Sequence, residues 1–592
     1  MSHRSIVLQL TLCLVFIHPV HAQLIAPGQP IPRTTNPPVV FLNGYQNDCS
    51  GSSFAGTFGI ADQVLQANGL VSLFFDNCTV SGKPSIEKLG TAFTQFLAGL
   101  KYSDGSPVDT VDLVAHSMGG LIVRSYLSGK QEQEGLFSPP SVTHVRKAIF
   151  IATPHFGSGD FNFGISLNTQ VDELTSGSHF LFDLATWNDN TDDLRGIDAI
   201  AMIGNGGTGE ATMPGFDDGI VALTSGSLGF YQPGRTRVLP YCHIDGGGLI
   251  TFAGLCNSSA KGIAAIRSAS DDNARIIASF LNNSSDWQKI GQAAEQNAFL
   301  VTLGGLNVRT WTSNKQPQSV NSVVAASGGI SKTLNMSNSE IAYTDAFPAG
   351  NVSLTAKAST TLTGTISLPA GTELPVSLKS GPNIARVLPA ASSVFPFSVA
   401  PRMIISIYGE SLAQTTDQAR SLPLPQMLSD AQVMLNGVAL GLFYVSPAQI
   451  NAALPDSISG LVKLTVQNSS GSDNINLFVE PAHPAIFTTD STGSGPAAAI
   501  NFTNGMVVSS TNPLHGGDFM ELFLTGLGAA TQASVTIGGT ACPTSYVGPA
   551  PNFVGLDQIN CQVPSGLSAN SATLLQVTAD GRTSNVVTIA TQ

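Results

Sequence analysis

A chain of 592 residues is too long for one compact core, so about two to four domains are expected. The formal net charge of −13, with no run of basic residues, excludes nucleic acid as a partner, because phosphate binding needs clustered Lys and Arg. Only 11% of residues are charged and 60 are Gly, which suits a loop-rich protein with much β structure.

In chain order, His3 and Arg4 open a polar, positive start, Ile6 to Ile17 is almost wholly apolar, and Val20-His21-Ala22 offers the small residues a signal peptidase accepts. Residues 1–22 are therefore expected to be a signal peptide and the protein to be secreted, extracellular or periplasmic. The apolar run is too short to span a bilayer, and no later segment qualifies, so no transmembrane segment is expected. Leu24 to Pro38 is Pro-rich and reads as an extended arm.

Short apolar runs then alternate with helical stretches. Val39–Leu42, Leu70–Phe75, Val111–Val114, Ala148–Ile151, Ile200–Ile203 and Arg237–Leu239 are strand candidates, and Ile86–Leu100 carries apolar residues at helical spacing. Continuous apolar strands are covered on both faces, as in a parallel sheet. The alternation predicts a doubly wound α/β sheet over residues 37–283.

Within this region residues 111–120 read VDLVAHSMGG: a strand running through Ala-His-Ser-Met-Gly into a helix. That is the pattern of a nucleophile elbow, with Ser117 raised above the sheet and Ala115 in place of the first Gly. A serine nucleophile needs a base and an acid, which follow it in this fold in the order acid, then His. Asp218 lies in the loop after Ile200–Ile203, and His243 follows Arg237–Leu239; no other His lies between Asp218 and the end of the region. His243 is expected to take the Ser117 proton and Asp218 to hold its tautomer, with Asp217 as the alternative acid. His116 should point away from Ser117, and His155 is expected to be structural or substrate-facing. The expected oxyanion donors are the backbone N–H groups of Met118, just after the nucleophile, and Tyr45, in the Asn43-Gly44-Tyr45 loop after the first strand. Phe161, Phe163, Ile165 and Leu167, then Phe180, Leu181, Phe182, Leu184 and Trp187, suit an amphipathic cap whose apolar side covers the site and holds an acyl chain.

Beyond about Ser284 helical periodicity fades and Val, Thr, Ser, Gly and Asn dominate, with frequent turn signals, as in all-β Ig-like sandwich domains. Val433–Pro455 and Val535–Pro564 form an internal repeat, with Asn451 and Asn560 separated by 109 positions, about one Ig-sized domain. The expected divisions are a β-rich module over 298–380 and Ig-like sandwiches over 385–480 and 485–592. Once Cys13 is removed with the signal, six cysteines remain in local pairs: Cys49 with Cys78, Cys242 with Cys256, Cys542 with Cys561. An even count in an exported chain suits disulfides, and no pair has zinc-ligand spacing. No metal and no cofactor is expected.

AHSMGG, the upstream FLNGY, the downstream DDGIV and CH, IATPHFGS at Ile151–Ser158 and QVDELTSGSHFLFDL at Gln170–Leu184 resemble bacterial lipases and GPI inositol-deacylase-like hydrolases of the α/β-hydrolase fold. ISIYGESLA, LFYVSPAQINAALP, LTGLGAAT and VGLDQINCQVP, within about residues 385–590, resemble a paralogous C-terminal domain of secreted acidobacterial proteins, with tandem IPT/TIG-type Ig-like sandwiches. The resemblance implies export and modularity for that part, and leaves surface or polymer binding open to it. Together these residues predict a carboxylic ester hydrolase acting on a small-molecule or lipid ester through an acyl-enzyme. Amide or thioester hydrolysis by the same residues, and a non-catalytic surface-binding protein on a hydrolase scaffold, are the alternatives.

Overall fold

A computed structural model describes residues 24–159, 167–188, 194–207, 216–245, 256, 261–358, 361–392 and 398–592. The expected signal peptide, with Phe161, Phe163 and Ile165 of the expected cap, lies outside the described residues.

The N-terminal part is built on one seven-stranded sheet: β1 (Val39–Leu42), β2 (Ser72–Phe75), β3 (Val111–His116), β4 (Val145–Ile151), β5 (Asp198–Gly204), β6 (Thr236–Leu239) and β7 (Gln292–Ala293). Their order is β2-β1-β3-β4-β5-β6-β7, with every pair parallel except β6 and β7. All six expected strands are present. Buried on both faces, they need no polar alternation, and this is why they read as apolar runs. The short, polar β7 carries no such signal.

Helices α1 (Phe54–Phe58), α2 (Ala61–Ala67), α3 (Ile86–Gly99), α4 (Met118–Ser128), α5 (Thr169–Leu174), α6 (His179–Thr186), α7 (Leu223–Gly226) and α8 (Asp272–Leu281) accompany the sheet. Local sequence sets their starts. Ser85, Asn168 and Ser178 cap α3, α5 and α6 by accepting from the N–H groups of Lys88, Val171 and Leu181. One sheet face packs Val40, Leu42, Leu113 and Phe150 against α3 and α4, and the other packs Phe41, Val114, Ile149 and Met202 against α2 and α8. This is the α/β-hydrolase arrangement, a doubly wound and mostly parallel sheet. Strand order reverses at β1 and β3, so the loops after these strands part and leave a crevice above the sheet.

The sheet and its core reach past 37–283 at both ends. Ile31 is fully buried, so the Pro-rich arm is packed rather than free, and Phe299 and Leu300 join the main core.

The rest of the chain is all β, in three sandwiches around separate cores of buried residues. The first packs two four-stranded sheets over residues 303–378, and so has the same layered build as the other two. The second and third carry the repeat. Asn436-Gly437 and Gly538-Gly539 close equivalent hairpins with φ positive at both residues, the geometry of a type I′ turn, which Asn and Gly tolerate. The Gln-x-Asn pairs recur as contacts too: Gln449 Nε2 donates to Asn451 Oδ1 at 2.8 Å, and Gln558 Nε2 to Asn560 Oδ1 at 2.9 Å.

The sandwiches pack onto the α/β part. Thr224 Oγ1 donates to the Asp345 carbonyl at 2.7 Å, and the Phe478 N–H donates to Asn188 Oδ1 at 2.8 Å. Burial pushes the Asp345 carboxyl up to about 6 and the Glu373 carboxyl well above its usual range. This interface corrects one sequence expectation. Phe180, Leu181 and Leu184 of α6 enter the main core, Phe182 packs with Trp311 and Ile341, and the Trp187 ring lies 6.2 Å from Phe478. The helix is amphipathic because protein covers it on both sides, not because it roofs a substrate.

Disulfides join Cys49 to Cys78, Cys242 to Cys256 and Cys542 to Cys561, the three local pairs. Among the described residues, no helix is long and apolar enough to cross a membrane.

Candidate active site

Ser117 stands between β3 and α4, at the crevice. Its backbone has φ 54° and ψ −129°, a conformation in which a residue bearing a Cβ is strained. Three glycines make the turn sterically feasible. A Cβ on Gly119 would lie 2.7 Å from the carbonyl oxygens of Leu42 and Asn43, one on Gly120 would lie 2.0 Å from Thr153 Oγ1, and one on Gly44 would lie 2.7 Å from Ser117 Cβ. These contacts let the loop after β1 and the start of α4 close around one hydroxyl. The Ser117 N–H donates to the Ile151 carbonyl at 2.8 Å, which ties the turn to the end of β4.

His243 arrives from the loop after β6. Its Nε2 lies 2.9 Å from Ser117 Oγ, and its Nδ1 lies 2.8 Å from Asp218 Oδ2. Asp218 is anchored in turn: Oδ1 accepts from the N–H groups of Ile220 at 3.1 Å and Val221 at 2.8 Å. A backbone bond from the His243 N–H to the Asp218 carbonyl, 2.8 Å, joins the two segments beside the side-chain contact. All three residues are buried, with Ser117 keeping 9% of its surface. A carboxylate facing Nδ1 keeps the proton on that nitrogen, so Nε2 is free to accept from the hydroxyl.

Asp217 faces elsewhere. Its Oδ1 accepts from the Gly219 N–H at 2.9 Å, and burial pushes its carboxyl up to about 6. The structure thus brings Asp218, not Asp217, to His243.

The His116 ring lies 4.9 Å from the His243 ring. Its Nε2–H donates to the His243 carbonyl at 3.2 Å, and burial holds the ring's pKa down to about 3, so it is neutral in ordinary buffers. It braces the loop that carries His243, a role sequence reasoning missed. Cys242, adjacent to His243, is bonded to Cys256 and restrains the same loop. His155 is fully buried between the rings of Phe150 and Phe230, and its carbonyl accepts from Arg124 Nη1 at 2.6 Å; it is structural.

Met118 occupies the first position of α4, where backbone N–H groups have no acceptor within the helix. The N–H of Tyr45 donates to no acceptor among the described residues. Its ring packs against the main core, and its hydroxyl accepts from Asn168 Nδ2 at 3.1 Å. Ser117 therefore has an imidazole within hydrogen-bond reach, a carboxylate behind that imidazole, and, on adjoining segments, two backbone N–H groups with no acceptor among the described residues.

No family model and no curated protein matches the chain. Among solved structures the chain is similar to phospholipase PlaB from Legionella pneumophila, at 16% identity over 61% of this chain and 96% of that one, with a TM-score of 0.42. It is also similar to the Bacillus licheniformis lipase BlEst2 in its propeptide form, at 15% identity over 76% of this chain and 96% of that one, TM-score 0.26. A further similarity, at 17% identity over 45% of this chain and 60% of that one, TM-score 0.19, is to SGBP-B of a Bacteroides ovatus mixed-linkage glucan utilization locus, in complex with a mixed-linkage heptasaccharide.

Proposed function

We propose that the protein is a secreted serine hydrolase of carboxylic esters with an apolar acyl group, acting through an acyl-enzyme. The observation that carries this reading is the chain of contacts from Ser117 Oγ to His243 Nε2 and from His243 Nδ1 to Asp218, at 2.9 and 2.8 Å. The likeness of AHSMGG, DDGIV and IATPHFGS to lipases and inositol-deacylase-like hydrolases points the same way. Three disulfides suit an oxidising compartment.

In the first step Ser117 Oγ attacks the ester carbonyl carbon as its proton passes to His243 Nε2. Asp218, accepting from Nδ1–H, holds the tautomer and stabilises the imidazolium that forms. The carbonyl oxygen becomes negative and is met by the N–H groups of Tyr45 and Met118 at the positive end of α4. His243 then gives its proton to the departing alcohol, leaving an acyl-Ser117 ester. Water, activated by the same histidine, attacks that ester and releases the acid.

Tyr45 and Ile220 support the apolar acyl group. Tyr45 follows Gly44, which lies against Ser117 Cβ, and Ile220 is two residues after Asp218; both are only partly buried against the main core. Each methylene buried there adds about 0.8 kcal/mol. Preference measured as kcat/KM on p-nitrophenyl esters is expected to climb from acetate to octanoate, roughly three- to fourfold per methylene until the pocket ends. A steady fall from acetate onward would rule out the acyl pocket.

A further inference from the structure

The loop that carries Tyr45 is held from behind by a buried polar cluster at the end of β2. Asn77 donates from its side-chain Nδ2 to the Gly44 carbonyl at 2.8 Å and to the Asn43 carbonyl at 3.2 Å. Both partners only accept, so the nitrogen end of the Asn77 amide must face them. The Asn77 backbone N–H donates to Asn43 Oδ1 at 3.0 Å. That leaves Asn43 Nδ2 to donate to Asp76 Oδ1 at 2.9 Å and to Ser52 Oγ at 3.1 Å. Asp76 Oδ1 also accepts from Ser52 Oγ at 2.9 Å and from the Cys78 N–H at 3.0 Å, and Cys78 is closed onto Cys49 by a disulfide. Asn43 is fully buried and Asn77 is 6% exposed.

The Gly44–Tyr45 peptide is planar and trans, so its C=O and N–H point in opposite directions from one rigid unit. With the Gly44 oxygen held toward Asn77, the Tyr45 N–H is turned away from Asn77. Gly44 itself sits against Ser117 Cβ.

We infer that Asn77 is a positioning residue for the oxyanion site: by fixing the Gly44–Tyr45 peptide plane it keeps the Tyr45 N–H aimed at the oxygen that becomes negative when Ser117 attacks. This rests on the ester hydrolase reading. Asn77 touches no reacting atom and acts only through the loop. Replacing its donor frees the peptide to rotate and leaves two carbonyl oxygens unpaired.

The test uses the full chain carrying Asn77→Asp, which is isosteric but presents an acceptor, and Asn77→Ala. Active sites are counted by fluorophosphonate titration, so unfolded protein does not enter kcat. On a soluble p-nitrophenyl ester, kcat per titrated site is expected to fall on the order of 10²-fold while KM stays within about threefold. The inhibition constant of an alkylboronic acid, whose serine adduct is tetrahedral, is expected to rise by a similar factor, and the pH profile should keep its shape. Loss of a merely structural asparagine would reduce the number of titrated sites and leave the boronate constant of the remainder unmoved. That pattern, or an unchanged kcat, overturns the inference while leaving the hydrolase reading intact. A folded wild-type protein that neither hydrolyses esters nor takes fluorophosphonate would overturn both.

Discussion

Ser117→Ala is expected to lower kcat for ester hydrolysis by about 10³-fold or more, with the melting temperature nearly unchanged. The size follows from what the hydroxyl does: without Oγ there is no covalent intermediate, and His243 has no proton to take. Residual turnover would come from water attacking an ester still held at the two amides. The fold should tolerate the change. Ser117 Oγ contacts His243, and the turn itself is held by the Ser117 backbone and by Gly44, Gly119 and Gly120. Alanine also has a Cβ at the same strained φ of 54°, so the substitution adds no new backbone cost. Steady-state kinetics with thermal melts on the same preparation read both halves of this expectation. Wild-type turnover in a well-folded Ser117→Ala protein would remove Ser117 from the chemistry.

The two adjacent aspartates separate sharply in the second expected result. Asp218→Asn should cost about 10³–10⁴-fold in kcat, and Asp217→Asn no more than a few-fold. Asp218 accepts from His243 Nδ1 at 2.8 Å while its other oxygen accepts from two backbone N–H groups. An asparagine there keeps the shape, but its carbonyl oxygen alone cannot satisfy both sets of donors. When its amide faces the imidazole the wrong tautomer is favoured, and Nε2 then carries a proton toward Ser117. Asp217 points to the Gly219 N–H instead, and burial already raises its carboxyl to about 6. At pH 8, above that value, Asp217 is charged, so the substitution removes one nearby charge; it leaves the contact between Asp218 and His243 in place and is therefore expected to cost little. Equal losses in the two variants would contradict the geometry.

Much of this was legible from the residues because the physics is local. The strands β1 to β6 are covered on both faces, and runs such as Val39–Leu42 and Ala148–Ile151 admit few other readings. Ser117 was legible because an elbow demands small neighbours at fixed offsets. The sequence favours Asp218 and leaves Asp217 as the alternative, because one residue of register turns a carboxylate from His243 to a backbone turn; only the structure shows which of the two faces His243. Asn77 and His116 carried no signal: each acts through the direction of a side chain reaching a segment distant in sequence. Helix α6 misled for a related reason. Its apolar stripe is the same whether substrate or another domain covers it, and the residues that decide, Trp311, Ile341 and Phe478, lie more than a hundred positions downstream.

The most direct measurement is mass spectrometry of the full chain after reaction with a fluorophosphonate, which requires an activated serine. One adduct per chain, mapped to Ser117 and abolished by His243→Ala, is the predicted result. An unlabelled, folded wild-type protein, or an adduct on any other residue, would contradict a serine hydrolase built on Ser117, His243 and Asp218.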